Sequence, residues 1–310
     1  MKSVFVINGF LDSGKTQFIN YTLAQPYFRT KGSTLLIVCE EGEEEYDERL
    51  LKATNTILVN VEEESGVAPD KLMELEKKYR PSRVIVEYNG MWNYKNFKLP
   101  FGWKLEQQIT LIDTSSFELY YTNMRSLLAE MMRKSEMIIF NRADNFVDKL
   151  PGFKRNVKAL NQAAEIIFEG KDGEINATLD EELPYDIKAD KINLTDDTYG
   201  AFYIDALDNT DRYKGKEITF TACAMIPGDY AKEVFVPGRS IMTCCAEDIQ
   251  FLGFPCKYAG AKDIKNRSWV KVTCKLNREY FDGYKAEGPV LTALSVEPAK
   301  APKNEVISFI

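Results

Sequence analysis

Short apolar runs alternate with longer amphipathic stretches through the first half of the chain. The runs, such as residues 4–7 and 35–38, are rich in β-branched side chains, which is typical of strands buried on both faces. The stretches between them, such as 15–24, 70–79, 122–134 and 152–163, are long enough to be helices that connect parallel strands. The pattern therefore predicts an α/β domain with a doubly wound, mostly parallel sheet over residues 1–172.

The pattern changes in the second half. Residues 173–215 are polar with little periodicity, and we interpret them as a connecting segment. Residues 216–297 contain five or six short alternating strands separated by Gly, Pro or Asp clusters. They predict a second, smaller all-β domain, a barrel of the oligonucleotide/oligosaccharide-binding (OB) type, although other small barrels share this pattern. Residues 298–310 are predicted to form a loosely held tail.

Composition and charge narrow the classes of function. The chain has 310 residues, a 45% hydrophobic share and a net charge of −7, so two domains are expected and a nucleic-acid partner is disfavoured. The absence of histidine excludes Ser-His-Asp catalysis and imidazole metal ligands. No signal-peptide pattern or membrane-length apolar run is present, which predicts a cytoplasmic protein without membrane insertion.

A phosphate-binding loop is the strongest chemical signal. Residues 9–16 read Gly-Phe-Leu-Asp-Ser-Gly-Lys-Thr between a predicted strand and a predicted helix, the context that a Walker A motif requires. Glycines let the backbone approach a phosphate closely, and we expect an exposed Lys15 to reach the β- and γ-phosphates while Thr16 holds Mg²⁺. A chance match in an unrelated strand-turn-helix is the alternative. The predicted nucleotide-binding residues of this loop are Gly9, Asp12, Ser13, Gly14, Lys15, Thr16 and Gln17.

A second motif indicates which base is bound. Asn141, Arg142 and Asp144 follow a predicted strand in the order Asn-Arg-Ala-Asp, which resembles the Asn-Lys-x-Asp guanine motif of GTPases. The carboxylate of Asp144 can accept hydrogen bonds from both N1–H and N2–H of guanine, whereas adenine has an acceptor at N1. The motif therefore predicts GTP, unless these side chains only cap the next segment.

An acidic residue stands at the end of another buried strand. Glu87 follows residues 83–86 and should lie beside the phosphate site, because the carboxyl ends of parallel strands meet at one edge of a sheet. There Glu87 could contact Mg²⁺ through water or orient the attacking water. Strand-end acids also serve as loop caps, which is the structural alternative.

The motifs together carry a resemblance to a known family. The Walker A loop, the acidic run 40–47, Glu-Tyr-Asn-Gly at 87–90 and Asn-Arg-Ala-Asp resemble the CobW/HypB/UreG-like family of P-loop GTPases, specifically its CobW-like branch, over about residues 1–170. That resemblance implies that Glu40 and Asp47 belong to a metal-sensitive switch segment. With Lys15 and Glu87 they are then candidates for catalysis, and with Thr16 and Glu87 for binding Mg²⁺. A run of like charges is otherwise typical of a solvated helix start.

Thiols suggest a separate metal site. Family members that deliver metals carry Cys-x-Cys-Cys after the third strand, whereas residues 59–66 here contain three carboxylates and no thiol. Cys244 and Cys245 could bind zinc in the second domain together with Cys223, Cys256 or Cys274 on neighbouring strands. However, adjacent strand residues point to opposite faces, and reduced cysteines are often simply buried. We expect burial. Residues 238–248 also resemble the C-terminal domain of YcgQ-like proteins, which accompany a predicted permease subunit.

These observations predict Mg²⁺-dependent binding and slow hydrolysis of GTP, coupled to a partner-binding β domain. Turnover should be slow because no arginine finger or catalytic glutamine is evident. The expected partner is a protein, such as a membrane permease or a metalloprotein in metal homeostasis, and a homodimer is a further expectation. The alternatives are a nucleotide-dependent binding or sensor module with little turnover, and a P-loop ATPase or kinase.

Overall fold

The chain divides into two units, Met1–Thr178 and Leu179–Ile310, each with its own sheet. The structure is a computed structural model, and it describes residues 1–175, 183–228, 230–242 and 249–308.

Eight strands form one sheet in the described part of the first unit, in the order β3-β2-β4-β1-β5-β6-β7-β8. Neighbouring strands are parallel throughout, except that β8 runs antiparallel to β7. In chain order the strands are β1 (Lys2–Asn8), β2 (Thr34–Val38), β3 (Thr56–Asn60), β4 (Arg83–Glu87), β5 (Trp103–Asp113), β6 (Met137–Asn141), β7 (Glu165–Gly170) and β8 (Gly173–Glu174).

Helices cover both faces of this sheet. Val4 and Val6 of β1 pack in one apolar cluster with Leu72, while Ile7 on the opposite face packs with Ile19. Leu72 and Ile19 belong to different helices, so the strand side chains alternate between two helical layers. This arrangement confirms the predicted doubly wound, mostly parallel fold. The helices are α1 (Lys15–Ala24), α2 (Glu48–Ala53), α3 (Pro69–Tyr79), α4 (Phe117–Asn123), α5 (Arg125–Met132) and α6 (Leu150–Leu160).

The second unit contains an all-β sheet, as predicted. Five of its strands pair in a closed ring, β10-β11-β13-β15-β14 and back to β10, and the pairs are antiparallel except β13 with β15. Closure removes the free edges that an open sheet would expose. The OB type of the barrel stays a prediction. In chain order the strands are β9 (Lys191–Asn193), β10 (Glu217–Met225), β11 (Val234–Met242), β12 (Ile249–Gly253), β13 (Cys256–Lys257), β14 (Trp269–Phe281), β15 (Ala286–Pro298) and β16 (Val306–Ser308).

The predicted connecting segment differs from the structure in its second half. Residues 196–208 form a helix, α7 (Asp196–Asp208), whose Phe202 lies near the rings of Phe220 and Phe254. The residues from Tyr199 through Ala206 are all buried, so their apolar positions show no 3.6-residue period that the sequence could reveal. No helix in the described ranges has the length and apolar content needed to cross a bilayer.

The predicted tail also contains ordered pairing. Residues 306–308 form β16, which pairs in parallel with residues 240–242 of β11, and Ile307 is buried. A three-residue strand that follows Pro302 carries too little periodicity to be identified from sequence.

Candidate functional site

The loop between β1 and α1 is shaped to receive an anion. Gly14 precedes the helix in the left-handed conformation, with φ 88°, and no side chain of the described residues caps the first turn. The first helical hydrogen bond runs from the N–H of Phe18 to the carbonyl of Gly14. The N–H groups of the preceding residues therefore have no intrahelical partner, and the helix dipole adds positive potential at the same point.

Lys15 is buried, contrary to the expectation that it is exposed. Only 4% of its surface is accessible, and its ammonium lies 2.7 Å from the carboxylate of Glu40. It also donates to the carbonyls of Gly9 at 3.0 Å and Phe10 at 2.8 Å. A buried ammonium is stable only when acceptors surround it, and the side chain reaches these by lying over its own loop.

Thr16 and Tyr46 share one carboxylate. Glu87, at the end of β4, is 2% exposed, and it accepts a hydrogen bond at 3.0 Å from the hydroxyl of Thr16. The hydroxyl of Tyr46 donates to the second oxygen of Glu87. Burial raises the pKa of Glu87, although the hydrogen bonds and the nearby Lys15 charge oppose this effect. Burial and the charge of Glu87 also raise the pKa of Tyr46, so its hydroxyl stays protonated and acts as a donor.

Lys15, Thr16 and Glu87 line an acidic cleft. The cleft is open to solvent on one side, and its volume is about 200 Å³. Two cations, Lys15 and Arg142, face a larger number of acids. The carboxylates that line the cleft are Asp12, Glu40, Glu43, Glu44 and Glu87. A polyphosphate would therefore meet net negative charge unless a cation accompanied it or the acidic run 40–47 moved away.

The predicted switch residues separate in the structure. Glu40 lines the cleft, but Asp47 does not, because its carboxylate accepts from the N–H groups of Arg49 at 2.8 Å and Leu50 at 3.4 Å and caps α2. Gln17 donates from its amide to Glu44 at 2.9 Å. A role for Asp47 as an Mg²⁺ ligand stays a prediction, and the structure assigns its carboxylate to the helix cap.

The predicted base motif contacts the phosphate loop. Asn141, at the end of β6, donates from its amide nitrogen to the carbonyl of Ser13 at 2.7 Å. A Cβ on Gly14 would lie 2.7 Å from that same nitrogen, so the contact requires glycine. The Oδ1 of Asn141 and the Oγ of Ser13 are buried without a hydrogen-bond partner among the described residues. Two unpaired polar atoms beside an uncapped helix terminus fit a polar ligand.

The rest of the base motif lies at the rim. The guanidinium of Arg142 donates to the carbonyl of Asp12 at 3.1 Å and pairs with the carboxylate of Asp113. Asp144 is exposed, and its two oxygens accept from the N–H of Lys171 at 3.1 and 3.2 Å. A carboxylate has about four acceptor positions, so Asp144 keeps capacity for a base.

The candidate zinc ligands are not assembled by the described residues. Cys244 and Cys245 lie outside them, and Cys223 is half-buried on β10. Burial raises the pKa of Cys256 to about 12 and raises that of Cys274, which disfavours metal-binding thiolates. Within the described ranges no group of three or more Cys, Asp or Glu side chains could hold a metal ion.

Three residues of the site had no role assigned to them from the sequence. Tyr46 gave no signal beyond being the aromatic residue of the acidic run, because its partner Glu87 is distant in the chain. Asp113 ends β5 and could have been found by the strand-end argument used for Glu87. Gly90 underlies the phosphate loop, since a Cβ there would lie 2.7 Å from the carbonyl carbon of Gly9.

Two family models divide the chain between them. Residues 3–168 match the model described as CobW/HypB/UreG, nucleotide-binding domain. Residues 170–307 match the DUF1980 C-terminal domain. A search of curated proteins found no match.

Solved structures with distant similarity include two HypB proteins and a GTPase. The hydrogenase maturation factor HypB from Archaeoglobus fulgidus is 17% identical, with 56% of this chain and 84% of that chain covered and a TM-score of 0.44. The Zn(II)-bound YjiA GTPase from E. coli is 15% identical, with 76% and 86% covered and a TM-score of 0.42. HypB from Helicobacter pylori in complex with nickel is 13% identical, with 55% and 79% covered and a TM-score of 0.37.

Replacing Gly90 with alanine should displace the phosphate loop. The new methyl group would overlap backbone atoms of Gly9 and Phe10, and backbone cannot rotate aside as a side chain can. We expect Gly90→Ala to lower the free energy of unfolding by about 1–3 kcal/mol and to weaken nucleotide binding. Chemical denaturation and equilibrium binding measure the two effects.

Gly152→Ala is the matched control. Gly152 lies in α6 with no atom within 4 Å of the added Cβ, so alanine should raise stability by about 0.5–1 kcal/mol and leave binding unchanged. Equal changes in unfolding free energy and in nucleotide affinity for the two variants would contradict the proposed packing of Gly90 under the phosphate loop.

Proposed function

Because residues 3–168 match its nucleotide-binding domain, the chain belongs to the CobW/HypB/UreG family, and on that premise we propose that it binds GTP with Mg²⁺ and hydrolyses it slowly. The observation that carries the proposal is the position of Lys15. Its ammonium lies at the uncapped N-terminus of α1, inside an open cleft, and is held by a carboxylate that a phosphate can replace.

Lys15 would exchange one anion for another. Its contact with Glu40 keeps the ammonium paired. A β- or γ-phosphate oxygen also carries negative charge, and it can reach the N–H groups of the first turn of α1 better than the Glu40 carboxylate can. Glu40 then loses its partner next to a negatively charged ligand. The acidic loop that carries Glu40 should therefore move away from the phosphates.

Thr16 and Glu87 are the residues that would hold Mg²⁺. Their hydroxyl and carboxylate are oxygen ligands of the kind that Mg²⁺ prefers, and they lie 3.0 Å apart at the end of the cleft. Bound Mg²⁺ would neutralise charge on the phosphate oxygens. The excess of carboxylates in the cleft supports a requirement for Mg²⁺, because GTP alone would bring more negative charge to an acidic surface.

Asp144 would select guanine. Its exposed carboxylate follows Asn141, which contacts the phosphate loop, by three residues, and its remaining acceptor positions can take the paired N–H groups of guanine. Hydrogen bonds to a charged acceptor contribute about 1.5–3 kcal/mol each, which is enough to prefer GTP over ATP.

Turnover should be slow without a partner. Arg142, the second cation that lines the cleft, is already engaged by Asp113 and by the carbonyl of Asp12, so it would have to leave them to stabilise charge on the transferred phosphate. We expect an intrinsic rate on the order of 10⁻⁴ to 10⁻² s⁻¹. The second unit, a separately matched domain, is proposed to bind a protein partner according to the nucleotide state.

A nucleotide sensor with little turnover is the second candidate. It is favoured by the contact between Lys15 and Glu40, because nucleotide binding alone would break that contact and move the acidic loop, without any need for hydrolysis. Phosphate release above the rate of uncatalysed GTP hydrolysis would exclude this candidate.

Lys15→Ala should weaken Mg-GTP binding by about 10- to 150-fold, because charge-assisted hydrogen bonds to phosphate are lost. The same change leaves Glu40 buried without a counter-charge, since its side chain is only 9% exposed, and should cost about 3 kcal/mol of stability. Calorimetry measures the affinity and denaturant unfolding measures the stability.

The double variant Lys15→Ala/Glu40→Gln separates the two effects. It removes both charges, so we expect most of the stability to return while the affinity stays low. Glu40→Gln alone keeps Lys15 and removes its competitor, so its affinity should be retained or increased. Wild-type affinity in Lys15→Ala would refute the assignment of the phosphate loop.

Asp144→Asn should weaken GTP binding by about 10- to 150-fold and leave ATP binding unchanged, since an amide presents a neutral acceptor and its own donor to guanine. The asparagine can still accept from the N–H of Lys171, so the loop should persist. Asp148→Asn, at an exposed aspartate of the same 3₁₀ helix, is the control and should not alter GTP affinity. Equal wild-type affinity for GTP and ATP would remove the guanine assignment.

A further inference from the structure

The acidic segment, residues 40–47, is fastened to the nucleotide-binding unit at several points. Two of its attachments are exposed to water, from Gln17 to Glu44 and from the amide of Asn20 to the carbonyl of Glu45. Solvent competes for such bonds, so they contribute little to holding the segment. The other two attachments are buried or partly buried, and they define where the segment is held.

The buried attachments both end on atoms assigned to the nucleotide site. Glu40 contacts the ammonium of Lys15, and the hydroxyl of Tyr46 contacts the carboxylate of Glu87. The two ends of the segment therefore lie on the proposed phosphate-binding cation and on the proposed metal-binding carboxylate.

Tyr46 is held in place by packing as well as by its hydroxyl. Its ring packs against the apolar cluster that contains Ile19 and Leu36, whereas Glu41 and Glu43 on the preceding loop are exposed. The ring sets the position of the hydroxyl, and the hydroxyl supplies the polar contact with Glu87. Tyr46→Phe removes that contact and keeps the packing.

We propose that Tyr46 is a positioning residue that fastens the acidic segment to Glu87, and that binding of Mg-nucleotide releases it. This inference rests on the proposed function for its second half, since release requires a cation at Glu87. Fastening by the hydroxyl is a property of the protein alone.

Electrostatics explains the release. The hydroxyl proton of Tyr46 and a divalent cation are both positive and would approach the same carboxylate, which already accepts from Thr16 through its other oxygen. A phosphate on Lys15 would at the same time repel Glu40. Metal and phosphate thus act on opposite ends of one segment, and neither alone removes both attachments.

Proteolysis with a glutamate-specific protease tests the fastening directly. The segment offers adjacent cleavage sites at residues 40, 41, 43, 44 and 45. Without added nucleotide, Tyr46→Phe should be cut within the segment at least about tenfold faster than wild type, because cleavage follows the population of the opened loop and a hydrogen bond to a carboxylate is lost. Mass spectrometry locates the cuts.

Tyr21→Phe is the matched control, because Tyr21 is 66% exposed on α1 and its change removes a solvent-facing hydroxyl. It should be cut like wild type. Cleavage of Tyr46→Phe at the wild-type rate would overturn the proposal, and so would a rise at glutamates throughout the chain with a lower unfolding temperature, which indicates general destabilisation.

Hydrogen–deuterium exchange of the wild-type protein tests the release without any variant. Mg-GTP should increase exchange at residues 40–47, while GTP with a chelator and Mg²⁺ alone should each give a smaller increase. Slower exchange with Mg-GTP, despite measured binding, would contradict the release. Absence of any GTP binding would instead refute the proposed function, and the proteolysis comparison would still decide whether Tyr46 fastens the segment.

Discussion

The buried ion pair between Lys15 and Glu40 is the interaction on which the rest of the site depends. An ammonium that is 4% exposed needs an anionic partner, and its 2.7 Å contact supplies one while joining the phosphate loop to the acidic segment. A phosphate group can satisfy the same requirement. The structure therefore links the presence of a ligand to the position of a loop through the need to keep one charge paired.

The parallel sheet places the parts of the site at one edge. In the strand order β2-β4-β1-β5-β6, the carboxyl ends bring together Glu87 from β4, the phosphate loop after β1 and Asn141 from β6. The acidic segment follows β2 and so emerges at the same edge. Each of these residues lies at a strand end or a helix start whose position is set by the core. Short loops are therefore enough to bring their side chains together.

The sequence predicted what depends on local pattern. The phosphate loop and α1 were identified correctly because glycines, Lys15 and the flanking apolar runs lie within a few residues of one another. The pattern of residues 122–134 predicts one helix, but the structure has a break at Met124, where φ is −129°, and the apolar pattern continues across it. Helix α7 was missed because it is buried on nearly all sides.

Contacts between distant residues could not be predicted in this way. The burial of Lys15 depends on Glu40, 25 residues later, and the hydroxyl contact of Tyr46 depends on Glu87, 41 residues later. Asp47 shows the opposite case, in which a residue type suited to metal binding is used as a helix cap two residues away. Residue type identified the candidates, and only the tertiary fold determined which of them meet.

A crystal structure with Mg²⁺ and a non-hydrolysable GTP analogue tests the central claim most directly. The exchange of partners predicts that Lys15 donates to phosphate oxygens of the analogue, while Glu40 has left the ammonium and the acidic segment has moved from the cleft. An analogue bound in the loop with Lys15 still paired to Glu40, or bound elsewhere with the loop unchanged, would contradict the account.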